Sequence, residues 1–165
     1  MTAQPTLDPR AFRDTLGRFA TGVTVLTWDD GEHVRGMTAN AVSSVSLEPM
    51  LVLVCIDRKT SAHGQLEHTA AFALNILAAD QVEVSKAFAQ HGVEDMAGVA
   101  YHRNQTGAPV IDGALASIEC EVAERLAGGD HTIYLGQVVA MEIMRPEAQP
   151  LLFYAGRYRV LGPEL

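Results

Sequence analysis

The chain has few cysteines, few cations and no long apolar run. Its two cysteines, Cys55 and Cys120, lie in separate apolar segments without a Cys or His at metal-site spacing, so we expect buried, reduced thiols and no metal. Twelve Lys and Arg against 20 Asp and Glu give a net charge of -8, which argues against nucleic-acid or membrane binding through a basic surface. No apolar run reaches the length of a membrane span, about 18 residues, and the N-terminus has no signal-peptide pattern. We therefore expect a soluble, cytoplasmic protein.

Two common sequence motifs are also absent. No G-x-G-x-x-G follows a strand and opens a helix, so a Rossmann dinucleotide site is not supported. No G-x-S-x-G is present, which leaves a serine nucleophile without support. An anionic ligand of this acidic chain must therefore be held by a local group of donors.

Length and patterning favour one mainly β domain. The chain has 165 residues, 48% of them hydrophobic, which suits a single domain over residues 1–165. At least six strand-like segments and two or three helices occur without regular strand–helix alternation. This pattern predicts an antiparallel barrel with a few flanking helices.

Three segments give more local predictions. Asp8 and Pro9 are signals for the start of a helix, which we expect to end at Gly22. Met50–Ile56 is apolar throughout, as is typical of a central strand that is buried on both faces. Residues 92–113 are rich in Gly and polar residues, and we expect them to be irregular.

Three polar clusters are candidates for chemistry. Residues 35–49, RGMTANAVSSVSLEP, combine small residues that let a ligand approach with hydroxyl and amide donors, although an edge strand rich in Ser is an equal alternative. The segment CIDRKTSAH offers cations, hydroxyls and backbone N–H groups, either for one phosphate or as a solvated turn. In GGDHTIYLG, Asp130 can orient His131, although a lone His in a turn is more often structural.

In combination, these segments resemble the flavin reductase family, the small NAD(P)H:flavin oxidoreductases that supply reduced flavin to two-component monooxygenases. The resemblance spans nearly the whole chain: FATGVTVLT, GMTANAVSSVSLEPMLVLVCIDRKTS, FALNIL, VSKAFAQHG, GAPVIDGALASIECEV and GGDHTIYLGQV. It implies a flavin-binding split β-barrel that works as a homodimer, with the flavin near the subunit interface. It also implies hydride transfer between the two cofactors without a catalytic residue of the protein.

The resemblance assigns fifteen residues to cofactor binding. The flavin would contact Thr38, Ala39 and Asn40 along its ring and ribityl chain, Ser46, Cys55 and Ile56 around the ring, Asp57, Arg58, Lys59 and Ser61 towards the phosphate, and Ser85 and Lys86. His131 would contact the nicotinamide nucleotide, with Asp130 and Tyr158 beside it. Two departures leave the choice of flavin open: Ala41-Val42 stands where relatives often have Ser-Phe, and Glu48-Pro49-Met50 replaces a common Asp-Pro-Pro.

The resulting hypothesis is NAD(P)H-dependent reduction of free FMN or FAD, with delivery of the reduced flavin to a partner monooxygenase. NADH is expected rather than NADPH, but the sequence does not decide either cofactor choice or identify the monooxygenase. Three alternatives remain. They are a prosthetic flavin that serves another acceptor, a non-catalytic flavin-binding module, and an enzyme similar to pyridoxamine-phosphate oxidases with a related barrel.

Overall fold

A computed structural model describes residues 7–90, 96 and 98–164 of the chain. The helices there are α1 (Pro9–Leu16), α2 (Ser61–Leu66) and α3 (Val82–Phe88), with a 3₁₀ turn at Ala79–Gln81. The strands are β1 (Thr21–Gly22), β2 (Thr24–Asp29), β3 (Val34–Ala39), β4 (Val42–Leu47), β5 (Met50–Asp57), β6 (Ala71–Ile76), β7 (Tyr101–Arg103), β8 (Pro109–Ile111), β9 (Ala116–Gly128), β10 (His131–Ile143), β11 (Leu152–Tyr154) and β12 (Arg157–Arg159). Across these described ranges, no helix is both long and apolar enough to cross a membrane.

Seven antiparallel strands form the main sheet, in the order β3-β2-β6-β9-β10-β5-β4. Its edge strands, β3 and β4, are joined by Asn40 and Ala41 alone, so the two edges lie within about 11 Å of each other at this corner. One apolar cluster receives side chains from all seven strands, including Met37 of β3 and Val42 of β4. The sheet therefore curls around a common core, and the predicted mainly β, antiparallel split barrel is confirmed.

Within the described residues, the outer face of the sheet is covered over β6 and largely open along β5 and β10. Ala108 and Val110, from the segment that contains β8, pack on Ala73 of β6 and bury it completely. The outward residues of β5 and β10 are only half-buried within the described chain, and most of them are apolar: Leu51, Leu53 and Cys55 on β5, Ile133 and Leu135 on β10. An apolar surface is thus left open along these two strands.

The predicted N-terminal helix begins as expected but ends earlier. The carboxylate of Asp8 accepts the backbone N–H groups of Arg10 and Ala11, which caps α1. The helix ends at Leu16 rather than at Gly22: the N–H groups of Arg18 and Phe19 bond to carbonyls three residues back, and the carbonyl of Gly17 accepts the N–H of Ala155 at 2.9 Å. This bond fixes the end of α1 against the turn between β11 and β12.

Two further expectations need correction. Met50–Ile56 lies within β5, but β5 is next to the edge strand β4 and alternates between buried and partly exposed residues, so only its inner face is fully buried. Part of the segment 92–113, expected to be irregular, is the hairpin of β7 and β8, whose three-residue strands are too short to show alternation in the sequence. Residues 91–95 and 97 lie outside the described residues.

Candidate functional site

Two cavities lie on either side of the end of β3. A groove of about 970 Å³ lies between α1, the β3–β4 corner and β5. A smaller cavity of about 170 Å³ lies beside β3, between the start of α2 and the end of α3. Thr38 of β3 lines the small cavity, and Asn40, two residues further along the chain and about 7 Å away, lines the groove, so the end of β3 lies between the two spaces. The groove is at the upper end of the usual range for cofactor sites, about 300–1,000 Å³.

The groove has apolar walls and a polar rim. Leu53 and Cys55 line it from the outer face of β5, and Asn40 lies at the rim, where its Nδ2 donates a hydrogen bond to Oγ1 of Thr21 at 3.2 Å. Apolar residues of α1, the segment after it and β11 complete the wall: Phe12, Leu16, Phe19 and Phe153. Because α1 buries none of its own residues, these side chains are available to a planar ligand.

Both cysteines are free thiols, but only one of them is fully buried. Cys120 lies in the barrel core, where burial raises the pKa of its thiol to about 12. Cys55 is half-buried because it faces outward from β5, and burial raises the pKa of its thiol as well. The groove is therefore lined by a neutral thiol at pH 7, not by a thiolate.

The small cavity is lined by uncharged side chains. Ser61, Gln65 and Gln90 line it, and their side chains have no hydrogen-bond partner within the described chain. Thr38 also lines the cavity, and its hydroxyl donates to the carbonyl oxygen of Ser85 at 2.6 Å. The three free polar groups can donate to, or accept from, a polyhydroxy chain or a phosphate ester.

Ser85 and Tyr158 contact each other. The Ser85 Oγ lies 2.9 Å from the Tyr158 hydroxyl, and Ser85 is fully buried. Tyr158 also packs edge-to-face on Phe153, a residue of the groove wall. The pair thus connects α3, beside the small cavity, to β11 and β12, beside the groove.

A further group of polar residues lies where the end of β5 meets the start of β10. Asp57 is paired with His131 across the two strands, and the N–H of Arg58 donates to the carbonyl of Asp130 at 3.0 Å. Nδ1 of His131 lies 2.7 Å from Oδ1 of Asp130, and this hydrogen bond lowers the pKa of the Asp130 carboxyl. Lys59 follows Arg58 in the exposed turn. The segments predicted for the phosphate and for the nicotinamide nucleotide are therefore neighbours.

Four of the predicted residues lie away from these groups or are buried in the core. Ala39 and Ile56 point into the barrel core. Ser46 lies at an irregularity in β4 outside both cavities, and its Oγ accepts the N–H of Glu48. Lys86 is exposed, and its Nζ is 2.7 Å from Glu83.

Sequence reasoning missed two arginines that line the groove, Arg13 and Arg18. The signal was the alternation of cations and apolar residues along RAFRDTLGRF, which we interpreted only as an amphipathic helix. Within the described residues, no cluster of three or more His, Cys, Asp or Glu could hold a metal ion. The arrangement can bind planar and anionic ligands.

Comparisons of the family, the sequence and the structure with known proteins all find flavin reductases. Residues 16–162 match the family model described as a flavin reductase like domain. The chain is 37% identical, over 99% of its length and 87% of the relative's, to the reductase subunit HsaB of a flavin-dependent monooxygenase from Mycobacterium tuberculosis. It is also similar in structure to the NADH:FAD oxidoreductase SgcE6 of Streptomyces globisporus in complex with NAD and FAD fragments, with a TM-score of 0.89, 39% identity and coverage of 98% and 99% of the two chains. The flavin reductase PheA2 gives a TM-score of 0.87 with 42% identity, over 95% of this chain and all of that one.

Proposed function

Because the chain belongs to the flavin reductase like family, we propose that it is an NAD(P)H:flavin oxidoreductase that reduces free flavin, with NADH as the preferred reductant. The reaction oxidises one reduced nicotinamide and transfers a hydride, with its two electrons, to one flavin, while solvent supplies the proton that completes the reduced product. The proposal takes residues 1–165 as one domain. The observation that carries it is the groove of about 970 Å³ bounded by Asn40 and Cys55, both within segments that are typical of the family.

The residues of the groove hold and orient flat rings. Leu53 and Phe153 supply apolar surface, and the amide of Asn40, held by Thr21, keeps a carbonyl oxygen free at the rim. The raised pKa of the Cys55 thiol keeps the floor of the groove uncharged. An uncharged, apolar floor excludes water from the rings, which favours hydride transfer over competing reactions in solvent.

We assign the flavin tail to the small cavity and the turn beside it. Thr38 and Ser61 line that cavity, and Asp57, Arg58 and Lys59 are the charged residues of the adjacent turn. Ala39 contributes through its backbone, and Ile56, which is completely buried, contributes by packing in the core beneath the site. Ser85 supports the cavity through its bonds to Thr38 and Tyr158, and Ser46 and Lys86 remain outer contacts in the proposal.

The nicotinamide nucleotide is assigned to the start of β10, where His131 lies. The hydrogen bond between Nδ1 and the Asp130 carboxylate fixes the ring of His131, which is about two-fifths exposed and can donate or accept through Nε2. Tyr158 is a second contact, reached through the β11–β12 turn. Relatives named as NADH-dependent reductases support NADH over NADPH, and both FMN and FAD remain substrates of the proposal.

A homodimer is part of the proposal. The outer face of β5 and β10 is apolar and uncovered within the described chain, and Leu126 of β9 extends it with 42% of its surface exposed. An apolar sheet face of this kind is stabilised by packing against a second copy. Leu53 and Cys55 lie on the same face, so the flavin would sit near the subunit interface.

A monooxygenase component is the proposed recipient of the reduced flavin. Relatives such as HsaB and the reductase component of a 4-nitrophenol monooxygenase from Rhodococcus opacus are named as parts of two-component systems. We place the reaction in the cytoplasm, where the free thiols of Cys55 and Cys120 stay reduced.

The decisive experiment follows absorbance of the reduced nicotinamide with purified protein and FMN, FAD or riboflavin in slight excess. We expect rapid oxidation of NADH, slower oxidation of NADPH, and a rate that depends on added flavin. Flavin binding without NAD(P)H oxidation would instead indicate a binding module. Oxidation that needs no added flavin but does need another acceptor would indicate a prosthetic flavin, and consumption of a pyridoxal-type substrate would indicate an oxidase of the related barrel class.

A further inference from the structure

Five arginines beside the groove have no carboxylate partner among the described residues. Elsewhere on the molecule, cations are commonly paired: Arg35 with Asp30, Lys86 with Glu83, Arg103 with Asp29 and Arg145 with Asp80. The unpaired arginines lie on α1, just after it and on β12: Arg10, Arg13, Arg18, Arg157 and Arg159. Arg58, Lys59 and Arg125 also have no carboxylate partner among those residues, so this chain, with a net charge of -8, keeps positive charge on the side of α1 as well as at the turn after β5.

Two of these arginines face the groove itself. Arg13 and Arg18 line it, one from α1 and the other from the segment just after the helix. The bond between Gly17 and Ala155 places the β11–β12 turn, which precedes Arg157 and Arg159, against this end of α1. Asp14 is the only carboxylate of the groove lining, so positive charge is in excess there.

We infer that Arg13 and Arg18 bind the pyrophosphate of the nicotinamide dinucleotide, a site separate from the His131 contact. The inference rests on the proposed function, because Asn40 and Cys55, assigned to the flavin, line the same groove. Hydride transfer requires the nicotinamide to lie against the flavin ring, so the rest of the dinucleotide must follow a wall of that groove.

The wall formed by α1 matches the chemistry of a dinucleotide. Guanidinium groups bind phosphate oxygens through charge-assisted hydrogen bonds with a fixed fork geometry. Phe12 and Phe19 are 64% and 75% exposed beside the arginines, and their rings can stack on a nucleobase. An aromatic surface beside two arginines is complementary to a planar base that is joined to a pyrophosphate.

The test compares the double variant Arg13→Gln/Arg18→Gln with Arg10→Gln, which changes an exposed arginine of the same helix outside the groove. The first readout is calorimetric binding of ADP-ribose, which carries the pyrophosphate but no nicotinamide, to the flavin-free protein. The second is the KM for NADH. We expect the double variant to bind ADP-ribose roughly tenfold more weakly and to have a KM for NADH that is roughly tenfold higher. Arg10→Gln should change neither quantity, and both variants should keep their affinity for riboflavin. The difference should shrink as KCl is raised, because exposed charges are screened.

Several results would overturn the inference. They are wild-type protein that does not bind ADP-ribose, equal binding by the double variant, or equal weakening by Arg10→Gln. Loss of a wild-type dimer in the double variant would show that the arginines contact a second copy instead. If ADP-ribose binding depends on the two arginines but no flavin supports NADH oxidation, the proposed reductase activity fails while the nucleotide site stands.

Discussion

At the residue scale, His131→Ala should raise the KM for NADH several-fold and leave flavin affinity unchanged. The reason is that Asp130 orients this imidazole towards the nucleotide in the proposed site. Steady-state kinetics and a fluorescence titration of FMN measure the two quantities. The matched control is His102→Ala, which removes another exposed imidazole held by an aspartate, Asp112, at 2.7 Å. Unchanged NADH kinetics in His131→Ala, or an equal change in His102→Ala, would contradict the assignment.

Individual residues were predictable where their chemistry is local. Asp130 beside His131 is a pair of sequence neighbours, and the structure joins them at 2.7 Å. The bond between Ser85 and Tyr158 was not predictable, because 73 residues separate the two hydroxyls and no local pattern relates them. The outward direction of Cys55 was missed for a similar reason: both faces of β5 are apolar, so the sequence does not reveal which face is covered.

At the scale of elements, the sequence indicates which segments form strands or helices, but it does not indicate which distant elements pack together. The β-branched run VTVLTW, the turn signal DDGE and the extended segment HVRGMTA predict a hairpin over residues 23–39. The pairing of β2 with β3, from Thr24↔Ala39 to Asp29↔Val34, confirms it. The approach of α3 to β3 was not visible in the sequence, although it builds one side of the small cavity. It depends on Gly36, where a Cβ atom would lie only 2.6 Å from Cε1 of Phe88.

We therefore expect Gly36→Ala to push α3 away from β3. Phe88 is almost completely buried, so its ring cannot swing aside, and the overpacking should lower the free energy of unfolding by about 1–3 kcal/mol. Affinity for FMN should fall too, because Gly36 and Phe88 both line the small cavity. Denaturant unfolding and FMN titration test these effects.

Gly64→Ala is the control for that substitution. Gly64 lies in α2, and a Cβ there meets no atom within 4 Å, so alanine should stabilise the helix by up to about 1 kcal/mol without changing FMN affinity. If Gly36→Ala behaved like Gly64→Ala in both measurements, the contact between β3 and α3 would have no role in the cavity.

At the scale of the whole molecule, the uncovered sheet face should make the protein a dimer. Light scattering should give twice the mass of the chain, and Leu126→Glu should shift the protein towards monomer, because it places a charge on the apolar face shared with Ile133. Tyr101→Glu is a control at similar exposure, 37% against 42%, on the hairpin whose segment packs over β6 rather than along β5 and β10. A wild-type monomer, or a dimer that tolerates Leu126→Glu, would contradict this interface.

The groove also has a consequence for how the protein is made. It is lined by residues from Phe12, near one end of the chain, to Gly156, near the other. Arg58, in the turn just after β5, donates a hydrogen bond to Thr132 of β10, although the two residues are 74 positions apart in sequence. A nascent chain therefore has no cofactor site until almost all of it has left the ribosome, and sheet pairing over such separations is slow compared with local folding. During synthesis, the cofactors can stabilise only the finished barrel and not its precursors.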